Sequence, residues 1–180
     1  MVVYESEKIK IETMKKQMLL LLSLVVLGCK STMSDQTTAK SELNTALDVW
    51  HKAAAEADAS TYFGMMTDDA IYIGTDATEN WDKKAFEAFA KPYFDKGKAW
   101  SFTALERHIY FDASGKLAWF DELLNTQMKL CRGSGVLVKI GKEWKIKHYV
   151  LSMTIPNDNT NEVVKIKAPI EDVLIKKHQQ

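Results

Sequence analysis

Residues 100–155 read WSFTALERHIYFDASGKLAWFDELLNTQMKLCRGSGVLVKIGKEWKIKHYVLSMTI, and this stretch decides the fold. Apolar and polar residues alternate along it with period two, the side-chain period of a strand covered on one face. Turn chemistry interrupts it at Asp112-Ala-Ser-Gly115, at Asn125 to Gln127, and at Gly141-Lys142-Glu143. Four strands follow, at about 100–111, 117–125, 129–140 and 144–155. Their connections are too short for crossover helices, so the sheet is expected to be an antiparallel meander.

Upstream the apolar period lengthens to that of a helix. Leu43, Ala46, Leu47, Trp50, Ala53, Ala54 and Ala57 share one face of a long helix starting near Ser41, which Asp58-Ala-Ser60 breaks. A short second helix at 61–66 leads into a brief strand at 70–74 and a loop, Gly74-Thr-Asp-Ala-Thr78. Asp82 can cap a third helix with Ala85, Phe86, Phe89, Ala90 and Tyr93 on one face; Pro92 should shorten its last turn and Gly97 end it. Helices followed by a meander define an α+β class, with about three N-terminal helices packed in a curved antiparallel sheet. Residues 157–180 form a tail in which Val163, Ile166, Ile170 and Leu174 suggest a short helix at the sheet edge.

At the N-terminus, Lys15 and Lys16 precede the apolar run Met18-Leu-Leu-Leu-Leu-Ser-Leu-Val-Val-Leu27, closed by Gly28 and Cys29. A membrane-spanning helix needs roughly 20 apolar residues, and the basic flank and small residue before Cys29 fit a secretory signal instead. A cytoplasmic protein with a buried apolar helix is the rival reading. Val26-Leu-Gly-Cys29 resembles the lipobox of bacterial lipoproteins, and by that resemblance the Cys29 thiol carries a lipid. The expected organisation is then residues 1–13 as an upstream mis-start or disordered segment, 14–28 as a signal peptide, 29–41 as a polar tether, 42–156 as one domain, and the tail. The localisation implied is the cell envelope, exported and lipid-anchored, on a periplasmic or surface face.

With 180 residues and 46% hydrophobic content, the chain has material for one core. Basic and acidic residues balance at 24 each, which gives no pull toward nucleic acid. Lipidation of Cys29 leaves Cys131 alone, so no disulfide forms within a mature chain. Cys131 reads as a half-buried structural thiol in a strand. His51, His108, His148 and His178 lack metal-ligand spacing, and no phosphate loop or nucleophile elbow is present. No metal and no cofactor are expected.

The order of elements resembles the SnoaL-like branch of the nuclear-transport-factor-two-like superfamily over residues 42–156. The resemblance rests on Gly74-Thr-Asp76 with Trp81, Phe86-Glu-Ala-Phe89 with Pro92, Ala118-Trp119, Arg132-Gly-Ser-Gly135, and Trp144-Lys-Ile-Lys-His148 with Ser152. It implies a curved sheet wrapped around helices, forming a cone with a pocket at its open end. Relatives include ketosteroid isomerases, polyketide cyclases, dehydratases and domains that only bind or associate, so the fold leaves function open.

In catalytic relatives an acid in an apolar pocket serves as base or hydrogen-bond donor. Asp76, near the position of the isomerase base, is either such an acid or a loop cap. Asp121, two residues after Trp119, is either a pocket acid or a structural one beside Glu122. Strand alternation puts Trp144, Ile146, His148, Val150 and Ser152 on one face, which the resemblance makes the concave one. His148 is then catalytic or part of the core wall; Val150 stands where many relatives have a second histidine. Arg132 could bind a carboxylate or carbonyl, or pair with Asp121 or Glu122. Trp50, Tyr62, Tyr72, Trp100 and Trp119, with Trp144 and Ser152, form either a ligand wall or plain core.

Three functions follow as expectations. The first is binding of a small, largely apolar molecule. The second is an isomerase, cyclase or dehydratase with Asp76 or Asp121 as base, assisted by His148 and Arg132. The third is a homodimerising association module whose outward sheet face carries Leu137, Leu151 and Met153.

Overall fold

The computed structural model describes residues 37–179, so the signal, lipobox and Cys29 readings lie outside the described residues. Two compact units divide between Ala46 and Leu47. Residues 37–55 are helical (α1), and the part from residue 47 belongs to the second unit, which holds every element below. Residues 37–41, read as tether, are already helical.

After α1 come α2 (Ala59–Gly64), β1 (Met66–Ile73), β2 (Asn80–Asp82), α3 (Lys83–Phe94), β3 (Phe102–Phe111), β4 (Leu117–Thr126), β5 (Lys129–Ile140), β6 (Glu143–Met153), a 3-10 turn (Asn157–Asn159) and α4 (Thr160–His178). The caps explain the helix starts. Asp58 accepts from Thr61 N at 3.0 Å to open α2, and Asp82 accepts from Ala85 N at 2.7 Å to open α3. Pro92 sits inside α3 near its end, and Gly97, with φ of 78°, turns the chain away.

The six strands form one sheet in the order β2-β1-β6-β5-β4-β3. β3 to β6 are the expected meander; β1 joins β6 in parallel, and β2 pairs with β1 antiparallel. This is the expected α+β class. Trp50 of α1 stacks on Tyr62 of α2 at 4.8 Å and meets Tyr149 of β6 edge-on at 4.8 Å, so helices and sheet close on one aromatic core. Phe86 of α3 stacks on Tyr72 of β1 at 3.9 Å.

Two bulges reset which residues enter that core. In β6, Ile146 pairs with Leu137 and His148 with Val136, leaving Lys147 as an extra residue. Trp144 and Ile146 are buried before it, Tyr149 and Leu151 after it. A one-residue insertion exchanges the faces of everything beyond it. His148, Val150 and Ser152 therefore leave the interior face that strict alternation assigned them. Leu137 and Leu151, read as outward, are buried; of that trio only Met153 is exposed. In β3, Leu105 is the extra residue between Ala104 and Glu106, which turns Arg107 and Ile109 inward on the same face as Phe102.

The tail is one 19-residue helix rather than a short one, with no buried residue. Among the described residues no helix is long and apolar enough to cross a membrane.

Candidate functional site

The expected site residues scatter. Asp76 caps its own loop, its Oδ1 accepting from Thr78 N at 2.9 Å and Thr78 Oγ1 at 2.6 Å; those bonds hold its carboxyl below the usual range. Asp121 lies on the outer sheet face, where its Oδ1 meets His108 Nδ1 at 3.1 Å and Arg132 at 3.9 Å. Of the two readings of Asp76 the loop cap matches this geometry, and Arg132 pairs with Asp121 rather than Glu122. Neither acid, nor His148, nor Arg132 lines the aromatic cavity described below. Trp119 is exposed on the outer face, stacked on Tyr110 at 5.8 Å, and Ser152 is exposed too. Trp50 and Tyr62 are core, and Trp144 is buried beside Phe111. Of the expected wall, Tyr72 and Trp100 remain.

Those two belong to a cavity of about 270 Å³ bounded by α3, the β1–β2 loop, residues 99–102, the β4–β5 turn and Leu151. Its walls are mostly rings: Tyr72, Trp81, Phe86, Phe89, Tyr93, Trp100 and Phe102. The sequence supplies them economically. Phe86, Phe89 and Tyr93 recur along one face of α3, and β2 places Trp81 against Phe89 at 4.4 Å. The polar lining comprises Thr75, Glu79 and Gln127. Gly74 faces Glu79: a Cβ there would fall 2.1 Å from Glu79 Oε2. That oxygen accepts from Asp76 N at 3.1 Å, so the loop fixes the carboxylate in place. Burial pushes the Tyr72 phenol well up, with the charge of Glu79 adding to it, and Tyr72 stays a neutral donor.

Behind the cavity lies a cluster the sequence reading missed. Glu122 is fully buried; its Oε1 accepts from His51 Nε2 at 2.8 Å and from Tyr149 Oη at 3.0 Å, and its Oε2 from Arg107 Nε at 2.8 Å. Arg107 reaches on to Asp48 at 2.9 Å. Burial pushes Glu122 up, but the His51 bond and the charges of His51 and Arg107 outweigh it and hold the carboxyl below its ordinary value. Burial and the adjacent Glu122 charge push the Tyr149 phenol far up, so it donates. Gly133 leaves the space, since a Cβ there would stand 2.3 Å from Tyr149 Oη and 2.8 Å from Glu122 Oε1. The cluster ties the part of α1 from residue 47 to β3, β4 and β6, and it does not line the aromatic cavity.

A larger open cleft of about 730 Å³ runs past Asp68, Asp69, Lys83, Lys145 and Lys147. Its lysines are already engaged: Lys147 with Asp69, Lys83 with Asp68, Lys145 with Glu143. The aromatic cavity is the better ligand site because its walls are apolar and few polar groups converge there. Among the described residues no group of three His, Cys, Asp or Glu could hold a metal ion.

The model of the SnoaL-like domain matches residues 43–156, and the chain belongs to that family. Solved structures agree in fold. An NTF2-like protein of unknown function from Pseudomonas putida KT2440 is 17% identical, with a TM-score of 0.57 over 68% of this chain and 92% of that one. The association domain of C. elegans CaMKII is 17% identical, with a TM-score of 0.54 over 65% and 97%. An NTF2-like protein from Cytophaga hutchinsonii ATCC 33406 is 13% identical, with a TM-score of 0.54 over 64% and 98%. No curated protein matches the sequence.

Proposed function

We propose that this chain is an exported, lipid-anchored envelope protein whose SnoaL-like domain holds a small, largely apolar molecule in the aromatic cavity. The observation that carries the binding reading is the cavity itself: about 270 Å³ walled by seven aromatic side chains. Small-molecule sites combine such walls with a few placed polar groups. The anchor rests on the apolar run 18–27 and the lipobox-like Val26-Leu-Gly-Cys29. Proton transfer by Asp76 or Asp121 lacks support, because neither acid lines the cavity.

Native mass spectrometry of the full chain, released from detergent after purification from its own envelope, tests the binding reading. A small-molecule mass that leaves on denaturation, and is lost in Trp81→Ala, is expected. A bare mass for wild type and variant alike refutes it.

A second reading, homodimeric association, is favoured by the outer sheet face. Tyr110 and Trp119 stack there at 45% and 43% exposure, and Leu105 at the β3 bulge is also open to solvent. Sedimentation of the full chain, with Trp119→Lys as the disrupting variant, separates the two readings.

A further inference from the structure

Every charged residue lining the aromatic cavity reduces to one, Glu79, and no lysine, arginine or histidine lines it. Among the described residues no cation pairs with Glu79. The carboxylate is nonetheless fixed. It lies against Gly74, where any side chain would displace it, and takes the Asp76 N–H at 3.1 Å.

Several of the wall rings lie nearly parallel, while Tyr93 is tilted 42° from Phe89 and 60° from Trp100. Phe86 makes 14° with Tyr72, 17° with Trp81 and 26° with Trp100, while Trp81 makes 25° with Phe89. At the mouth Phe89 and Tyr93 stay 39% and 43% exposed, leaving ring surface for a guest.

The charge of the guest follows from this lining. Ring faces carry negative potential and attract cations. A neutral guest would strip water from Glu79 and return at most a hydrogen bond but no counter-charge, and burying an unpaired charge is costly. An anion would meet both the carboxylate and the ring faces. A cation with apolar substituents satisfies the carboxylate and the rings together.

Building on the cavity-binding reading above, we infer that the cavity takes an organic cation of the alkylammonium class, its charged centre among the rings and near the Glu79 carboxylate. Trp81 and Phe89 supply ring surface and Glu79 the counter-charge.

The test compares two probes of the same shape, choline and its uncharged analogue 3,3-dimethyl-1-butanol, titrated into the full chain by calorimetry. Choline is expected to bind at least tenfold more tightly. Glu79→Gln keeps an acceptor for the Asp76 N–H but removes the charge; it is expected to erase most of that preference while leaving the alcohol within about twofold. If the alcohol binds as tightly as choline and Trp81→Ala weakens it, the cation inference falls and the apolar cavity stands. If neither probe binds, both fall. A choline preference that survives Glu79→Gln and Trp81→Ala places the cation elsewhere and also overturns the inference.

Discussion

Replacing Glu122 by Gln isolates what the buried cluster contributes. The carboxylate now receives three donors: His51 Nε2 and Tyr149 Oη on Oε1, Arg107 Nε on Oε2. Glutamine offers one oxygen and one NH₂: with the oxygen on Arg107 Nε, His51 and Tyr149 must turn from donors into acceptors, and the other way round the NH₂ faces the Arg107 N–H. Arg107, whose side chain is 4% exposed, also loses the carboxylate buried beside it, while its partner Asp48 is exposed to solvent. Removing one partner of a buried charge pair costs about 3–5 kcal/mol, a large part of the 5–15 kcal/mol that holds a typical domain together. At about 4 °C per kcal/mol for a domain of this size, the melting point should fall by about 12–20 °C. Urea unfolding followed by far-UV circular dichroism at pH 7 measures the loss. The pH profile gives a second check. Because the folded carboxyl sits below its ordinary value of 4.5, its contribution is full above that value and disappears as pH falls through the lower folded one. Wild type should lose stability over that acid range, and Glu122→Gln should lack that component. A variant within 1 kcal/mol of wild type, with an unchanged acid profile, refutes the idea that the cluster fastens the Asp48–His51 turn to the sheet.

Other perturbations follow from the same packing. In Gly135→Ala the new Cβ would stand 2.6 Å from His148 O and 2.7 Å from Phe120 Cε1; a loss of about 1–3 kcal/mol is expected in urea unfolding. Asp82→Ala removes the α3 cap and should cost about 1 kcal/mol by the same assay, with a visible loosening of the Trp81 environment in near-UV dichroism. The Asp121 hydrogen bond raises His108 above its ordinary 6.5, so its NMR titration should centre above that value, and Asp121→Asn should bring it back down. Being raised, this pair favours the fold below the unfolded value and stops doing so as pH rises through the folded one.

The four meander strands were legible to within about two residues because their hairpins carry explicit turn chemistry and their faces alternate, whereas the first strand, expected at 70–74, runs from Met66 to Ile73. The faces themselves were legible only up to the bulges. Nothing in Lys145-Ile-Lys-His-Tyr149 announces that Lys147 is extra, so strict alternation makes His148 interior and Leu151 exterior, the reverse of what is observed. The Leu105 bulge hid Arg107 in the same way. Glu122 did carry a signal. It stands in the stripe Ala118, Phe120, Glu122, Leu124, where an acid among alternating apolar residues implies a buried, paired carboxylate. Its partner His51 lies 71 residues away, and no local pattern links them. For the cavity, the α3 periodicity named Phe86, Phe89 and Tyr93 as core. Pairing β2 with β1, which put Trp81 beside them, depended on a three-residue strand too short to read.

The most direct test of the central claim is a crystal structure of the chain purified from its own envelope. Continuous non-protein density is expected within the space bounded by Trp81, Phe89 and Trp100, with one end near Glu79. Density of that kind lodged instead in the cleft beside Lys83 and Lys147, with the aromatic cavity holding only water, would contradict it.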